Sequence, residues 1–250
     1  MTIEAAAGRP RADPQAADRR FYLFMTVLIA VLAVVGFAPK SAGILAGALP
    51  NPPVVVHLHA LAMVSWLLLL VAQAGLVSAG RRDLHMRLGL VSLGLVPAIL
   101  VLGAMTTVVR YYDAVEVGQG AVVANILVLQ LRFFIMFPIF VTWAMLARRR
   151  DPEMHKRMLI VASLIPLGAA LGRMAWVPGN NVVVTNDVAS LLELAMFAPV
   201  IAYDLVRSGR VHRAYVIGLA LALPWFVFIH FVWNASWWKA IADALMGAPA

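Results

Sequence analysis

The residues best suited to chemistry in this chain are its six histidines and a few charged groups set inside apolar sequence. Three histidines recur in one setting. His85, His155 and His212 each follow a basic loop, open an apolar stretch, and precede a proline by 12, 11 and 12 residues (Pro97, Pro166, Pro224). Such near-constancy implies one helical hairpin used three times, with three imidazoles at the same face. A helix N-terminus favours the neutral imidazole, the form that ligates zinc, copper or haem iron.

A second group lies within apolar stretches, where a charge costs about 2.5–3.5 kcal/mol even on the lenient insertion scale. Arg132, Arg173 and Glu193 belong here, with His57, His59 and His230 nearer the ends away from the basic loops. At 1.5 Å per residue, His59 lies about two turns inside its helix and His230 about one, so the two could share a level. His57 and His59 point in nearly opposite directions on a helix. The row His59, Met63, Trp66, Leu70, Gln73 carries polar groups, whereas His57, Leu61, Val64, Leu68, Val71 is greasy. His59 is therefore expected inward and His57 at the headgroups. Asn125, Leu129, Arg132, Met136 and Trp143 form a comparable row.

These residues allow three chemistries. Bis-histidine ligation of a b-type haem would use His85 with His155, and His59 with His230, leaving Arg132 and Arg173 for propionates. A transporter or receptor for a small anion or proton would use Arg132, Arg173 and Glu193, with Asn125, Trp66 and Gln73 nearby. A zinc-dependent membrane hydrolase would gather His59, His230 and Glu193. With no cysteine, any haem is non-covalent, and disulfides and thiol chemistry are excluded. The last apolar stretch has no lysine for a retinal Schiff base.

The elements that must position these groups follow from composition. Hydrophobic residues make up 63% and charged residues 13% of the 250. Apolar blocks near 21–38, 53–77, 86–109, 123–147, 155–177, 187–206 and 213–233 each approach the ~20 residues needed to span a bilayer. The expectation is an all-α polytopic membrane protein of seven transmembrane helices, one lead helix followed by three repeated hairpins. Residues 1–20 read as a disordered basic tail, 21–238 as the membrane domain and 239–250 as a short C-terminal tail.

Of 20 Lys and Arg, 15 fall in the N-terminal tail or the loops around 78–88, 147–157 and 207–213. Positive loops stay cytoplasmic, so the N-terminus is expected inside and the protein in a bacterial inner membrane. The net charge of +8 then reflects topology and anionic headgroups. It does not point to nucleic acid. The partners expected are the bilayer, a small anionic ligand, and another copy or a larger membrane complex. Mid-stretch Pro97, Pro138, Pro166, Pro199 and Pro224 are tolerated in membranes and are expected to bend helices.

The segment from His57 through the basic loop to His85-Met-Arg-Leu-Gly89 resembles the helix pair of transmembrane b-type cytochromes of the ascorbate- and ferric-reductase kind. With His155-Lys-Arg-Met158 it also resembles uncharacterised bacterial multi-helix membrane proteins. The cytochrome resemblance covers about 120 residues, helices two to five. It implies His85 and His155 as one ligand pair. The fourth helix has no histidine where that family's second pair would need one; Asn125 and Arg132 stand there instead.

Overall fold

The computed structural model describes residues 14–247, and every regular element among them is a helix. In chain order these are α1 (Pro14–Leu45), α2 (Val54–Ser78), α3 (Arg82–Gly89), α4 (Val91–Glu116) and α5 (Gly120–Ala147). They are followed by α6 (Pro152–Leu171), α7 (Asp187–Ala195), α8 (Phe197–Ser208), α9 (Arg213–Val232) and α10 (Ser236–Met246). Seven spans are long and apolar enough to cross a membrane: α1, α2, α3 with α4, α5, α6, α7 with α8, and α9. The loops at 79–81, 148–151 and 209–212 share what is called here the basic end; the other three inter-span connections lie at the far end.

Two spans are interrupted for local reasons. α3 gives way to α4 at Leu90, where Gly89 is a weak helix former and the Ser92 hydroxyl donates to its carbonyl at 2.6 Å, a Gly/Ser kink. α7 gives way to α8 at Met196. Pro199 has no N–H for the Ala195 carbonyl, so the turn between them cannot close normally. Pro97, Pro138, Pro166 and Pro224 all remain inside helices.

α6 is the axle of the bundle, packed against α1, α5, α7 and α9. α2 joins α1 to α4, and α4 joins α5, so α1, α2, α4, α5 and α6 follow one another around a ring. Phe133, Phe137 and Phe140 of α5 interlock with Met158, Val161 and Ile165 of α6 and with Met25 and Ile29 of α1. Close approach depends on glycine. A Cβ on Gly36 of α1 would run into the backbone of Ala170 in α6, and one on Gly218 of α9 would come within 2.9 Å of Val161. Leu61, Leu68, Leu146 and Phe231 are left exposed, a surface that suits lipid rather than water.

The ends differ from the expectation in three places. α1 starts at Pro14 and runs to Leu45, so part of the expected tail is helical; residues 1–13 lie outside the described residues. Most of α10 falls in the expected C-terminal tail, whose residues 248–250 lie outside the described residues; the helix is held by the Trp238 indole, which donates to the Ala124 carbonyl at 2.8 Å. The fifth span stops at Leu171 rather than near 177. There the Asn180 amide donates to the carbonyls of Leu171 (2.8 Å) and Met174 (3.1 Å), capping the helix and turning the chain out.

Candidate functional site

Two polar centres sit in this scaffold, one deep in the bundle and one at the basic end. The deep one is an ion pair. Arg132 on α5 donates through Nη2 to both carboxylate oxygens of Glu193 on α7, at 2.6 and 2.9 Å, and weakly to the Ile165 carbonyl of α6 at 3.3 Å. The Arg132 guanidinium also lies 5.0 Å from the centre of the Phe226 ring on α9. Arg132 is 4% exposed and Glu193 2%, so the two charges are withdrawn from solvent together. Gly168 makes room for them: a Cβ there would overlap a Glu193 oxygen. Arg132 Nε is buried with no hydrogen-bond partner.

At the basic end, His155 and His85 come within electrostatic reach of each other. His155 Nδ1–H donates to the Ala144 carbonyl at 2.8 Å, which fixes the ring and leaves Nε2 with its lone pair. The Nδ1 of His85 is buried and has no hydrogen-bond partner. One turn beyond His85, Gly89 lets the Gln73 amide approach; its Nε2 would be 3.4 Å from a Cβ placed there. Gln73 Oε1 is also buried and unpartnered. Polar groups in this condition are uncommon in folded proteins; His59 Nδ1 and Trp233 Nε1 share it with these two and with Arg132 Nε. Arg81, Arg82 and Arg87 flank His85, and Arg148, Arg149 and Arg150 precede His155 in sequence.

The remaining expected residues are separated. His59 is half-buried against Gly103 of α4 and Phe134 of α5. His230 is exposed and takes Asp187 at 2.9 Å. Glu193 is committed to Arg132. The trio His59, His230 and Glu193 is thus not gathered, and among the described residues no three His, Asp or Glu side chains are placed to share a metal. Arg173 lies beyond the end of α6 and does not join Arg132; it donates to Ala169 O and stacks over Phe37 at 4.6 Å. His57 is exposed and bonds Asn51 at 2.8 Å. Asn125 clamps Asn234, donating to its side chain at 2.7 Å and accepting its N–H at 2.9 Å. The Trp66 indole donates to Ser163 at 3.3 Å.

A third polar group was not evident from sequence. Arg157 is 7% exposed and Asp204 2%. Arg157 Nη2 donates to Asp204 Oδ1 at 2.6 Å and Nε to Oδ2 at 3.3 Å, and Glu153 closes on its other side. Arg157 also faces the rings of Tyr22 and Tyr215, whose hydroxyls meet at 3.3 Å. Asp204 Oδ2 accepts the backbone N–H of His212 at 3.0 Å. The signal for it was Asp204, an unpaired acid near the end of an apolar stretch.

Beside this network, burial first and then Arg157 hold the His212 imidazole below its ordinary pKa. In the neutral form its Nδ1 accepts the Ala214 N–H at 3.2 Å and caps α9. Asp151 caps α6 by accepting the Met154 N–H at 2.9 Å; that bond, and then Arg213, hold its carboxyl below the usual carboxylate range. No protein-family model, no curated protein and no solved structure matches the chain, so its function has to be read from these side chains.

Proposed function

We propose that this multi-pass membrane protein holds a non-covalent b-type haem between His85 and His155 and passes electrons at the basic end, the end we assign to the cytoplasm. The observation that carries the reading is the state of the two rings. His155 is oriented through Nδ1 by a carbonyl, the support that ligating histidines usually have, while half-buried His85 has a buried Nδ1 without a bonding partner. The donor set suits a haem iron, with two imidazoles from different helices and arginines beside them for propionates. When bound, a haem would supply one-electron chemistry. The chain's part is to orient the rings and keep water from them. In the outer pair the Nδ1 of His59 is likewise buried without a partner, but His230 is exposed and taken by Asp187, and Arg132 is taken by Glu193.

The test is a visible spectrum of purified protein, oxidised and dithionite-reduced, after expression with haem precursor. A Soret band with sharp reduced α and β bands is expected, lost in His85→Ala and in His155→Ala and kept in His59→Ala and His230→Ala. A featureless spectrum overturns the reading.

One observation favours a second reading, transport or sensing of a small anion or proton. Glu193 lies just before the break between α7 and α8, and interrupted helices beside buried charges are a transporter device. An anion-dependent thermal shift that disappears in Glu193→Gln would support this reading.

A further inference from the structure

Cations in the far half of the bundle run against the positive-inside tendency, and most are neutralised where they stand. Arg110 has Asp113 at 2.9 Å, Arg132 has Glu193, and Lys239 has Asp243. Among the described residues, Lys40 and Arg173 have no carboxylate in contact. They are not far apart. The α1–α6 crossing at Gly36 and Ala170 brings Phe37 under the Arg173 guanidinium at 4.6 Å. Lys40 stands one turn past Phe37 on α1, on the same face of that helix. The Arg173 side chain is exposed. Its position just beyond the end of α6 is where headgroups begin.

We propose that Arg173 and Lys40 form a binding site for a phosphate group, presented by an anionic phospholipid headgroup or by free phosphate. The guanidinium fork can meet two phosphate oxygens at once, and the ammonium supplies a point charge to a third. The Phe37 ring holds the fork in plane and limits how far it can swing. The site is distinct from the His85–His155 centre and does not depend on a cofactor.

The test uses the full chain, purified and stripped of lipid, with thermal unfolding followed in phosphatidylglycerol, phosphatidylcholine and inorganic phosphate. Phosphatidylglycerol is expected to raise the unfolding midpoint above that in phosphatidylcholine. The Lys40→Gln/Arg173→Gln double variant should lose the difference and Lys239→Gln should keep it. Lys40→Gln alone removes an exposed side chain, so it should fold; native mass spectrometry should find its retention of phosphatidylglycerol weaker by about tenfold, equivalent to about 1.4 kcal/mol. A midpoint raised by inorganic phosphate as well identifies free phosphate as a ligand; a response to phosphatidylglycerol alone identifies the headgroup. Equal midpoints in both lipids with no effect of phosphate overturn the proposal. So does a Lys40→Gln protein that retains lipid like the wild type.

Discussion

Arg132 and Glu193 hold each other's charge within apolar surroundings, and truncating either one strands the other. Breaking a buried pair costs about 3–5 kcal/mol, whereas replacing both members by apolar groups is often neutral or better. Arg132→Met should therefore lower the unfolding midpoint in detergent sharply, and Arg132→Met/Glu193→Met should recover most of the loss. Additive losses would contradict a coupled pair. His212 gives a prediction of different sign and range. Its folded pKa lies below the unfolded value of about 6.5, so its contribution is complete above that value and is lost as pH falls below it. Between pH 7.5 and 5.5 the wild type should lose more stability than His212→Ser, which retains a cap but does not titrate. Asp151, also a depressed group, loses its contribution only at lower pH, below the ordinary carboxylate range. At this scale the sequence disclosed cost but not partnership. Arg132 and Glu193 were recognisable as expensive, yet nothing in one chain says that they meet. Arg157 looked like one more loop cation because it follows His155 and Lys156, and only packing reveals it as buried.

Among elements, α6 tolerates the least. Gly36→Val should cost about 1–3 kcal/mol, the usual range for overpacking, because the obstacle is Ala170 backbone and cannot rotate aside. Gly94→Ala in α4 meets open space and should be neutral or slightly stabilising by helix propensity. Equal behaviour of the two in thermal unfolding would refute the close α1–α6 crossing. The spans themselves were legible because twenty apolar residues are hard to place anywhere but a membrane. The early end of α6 was not. Residues 172–177 stay mostly apolar, and the cap that stops the helix comes from Asn180, nine residues beyond Leu171. The break at Met196 was foreshadowed by Pro199, though proline alone does not distinguish a bend from an interruption.

For the molecule as a whole, orientation is the property most easily checked. The chain has no cysteine, so single introduced thiols report without background. Arg210→Cys in a basic-end loop should react with an impermeant maleimide only after cells are opened, and Val184→Cys at the far end should react in intact cells. The reverse pattern would invert the topology. Either result bears on the proposed electron transfer too, because it fixes the compartment that His85 and His155 face.

The distance along the chain between Arg132 and Glu193, 61 residues, has a consequence for biosynthesis. At about 5–20 residues per second, the ribosome needs about 3–12 s to make the acid after the base. During that interval the fourth span carries an unanswered cation, and the fifth has already arrived without supplying a carboxylate in contact with it. A nascent chain stalled before Glu193 should therefore linger at the insertion machinery, and release should follow soon after the sixth span emerges.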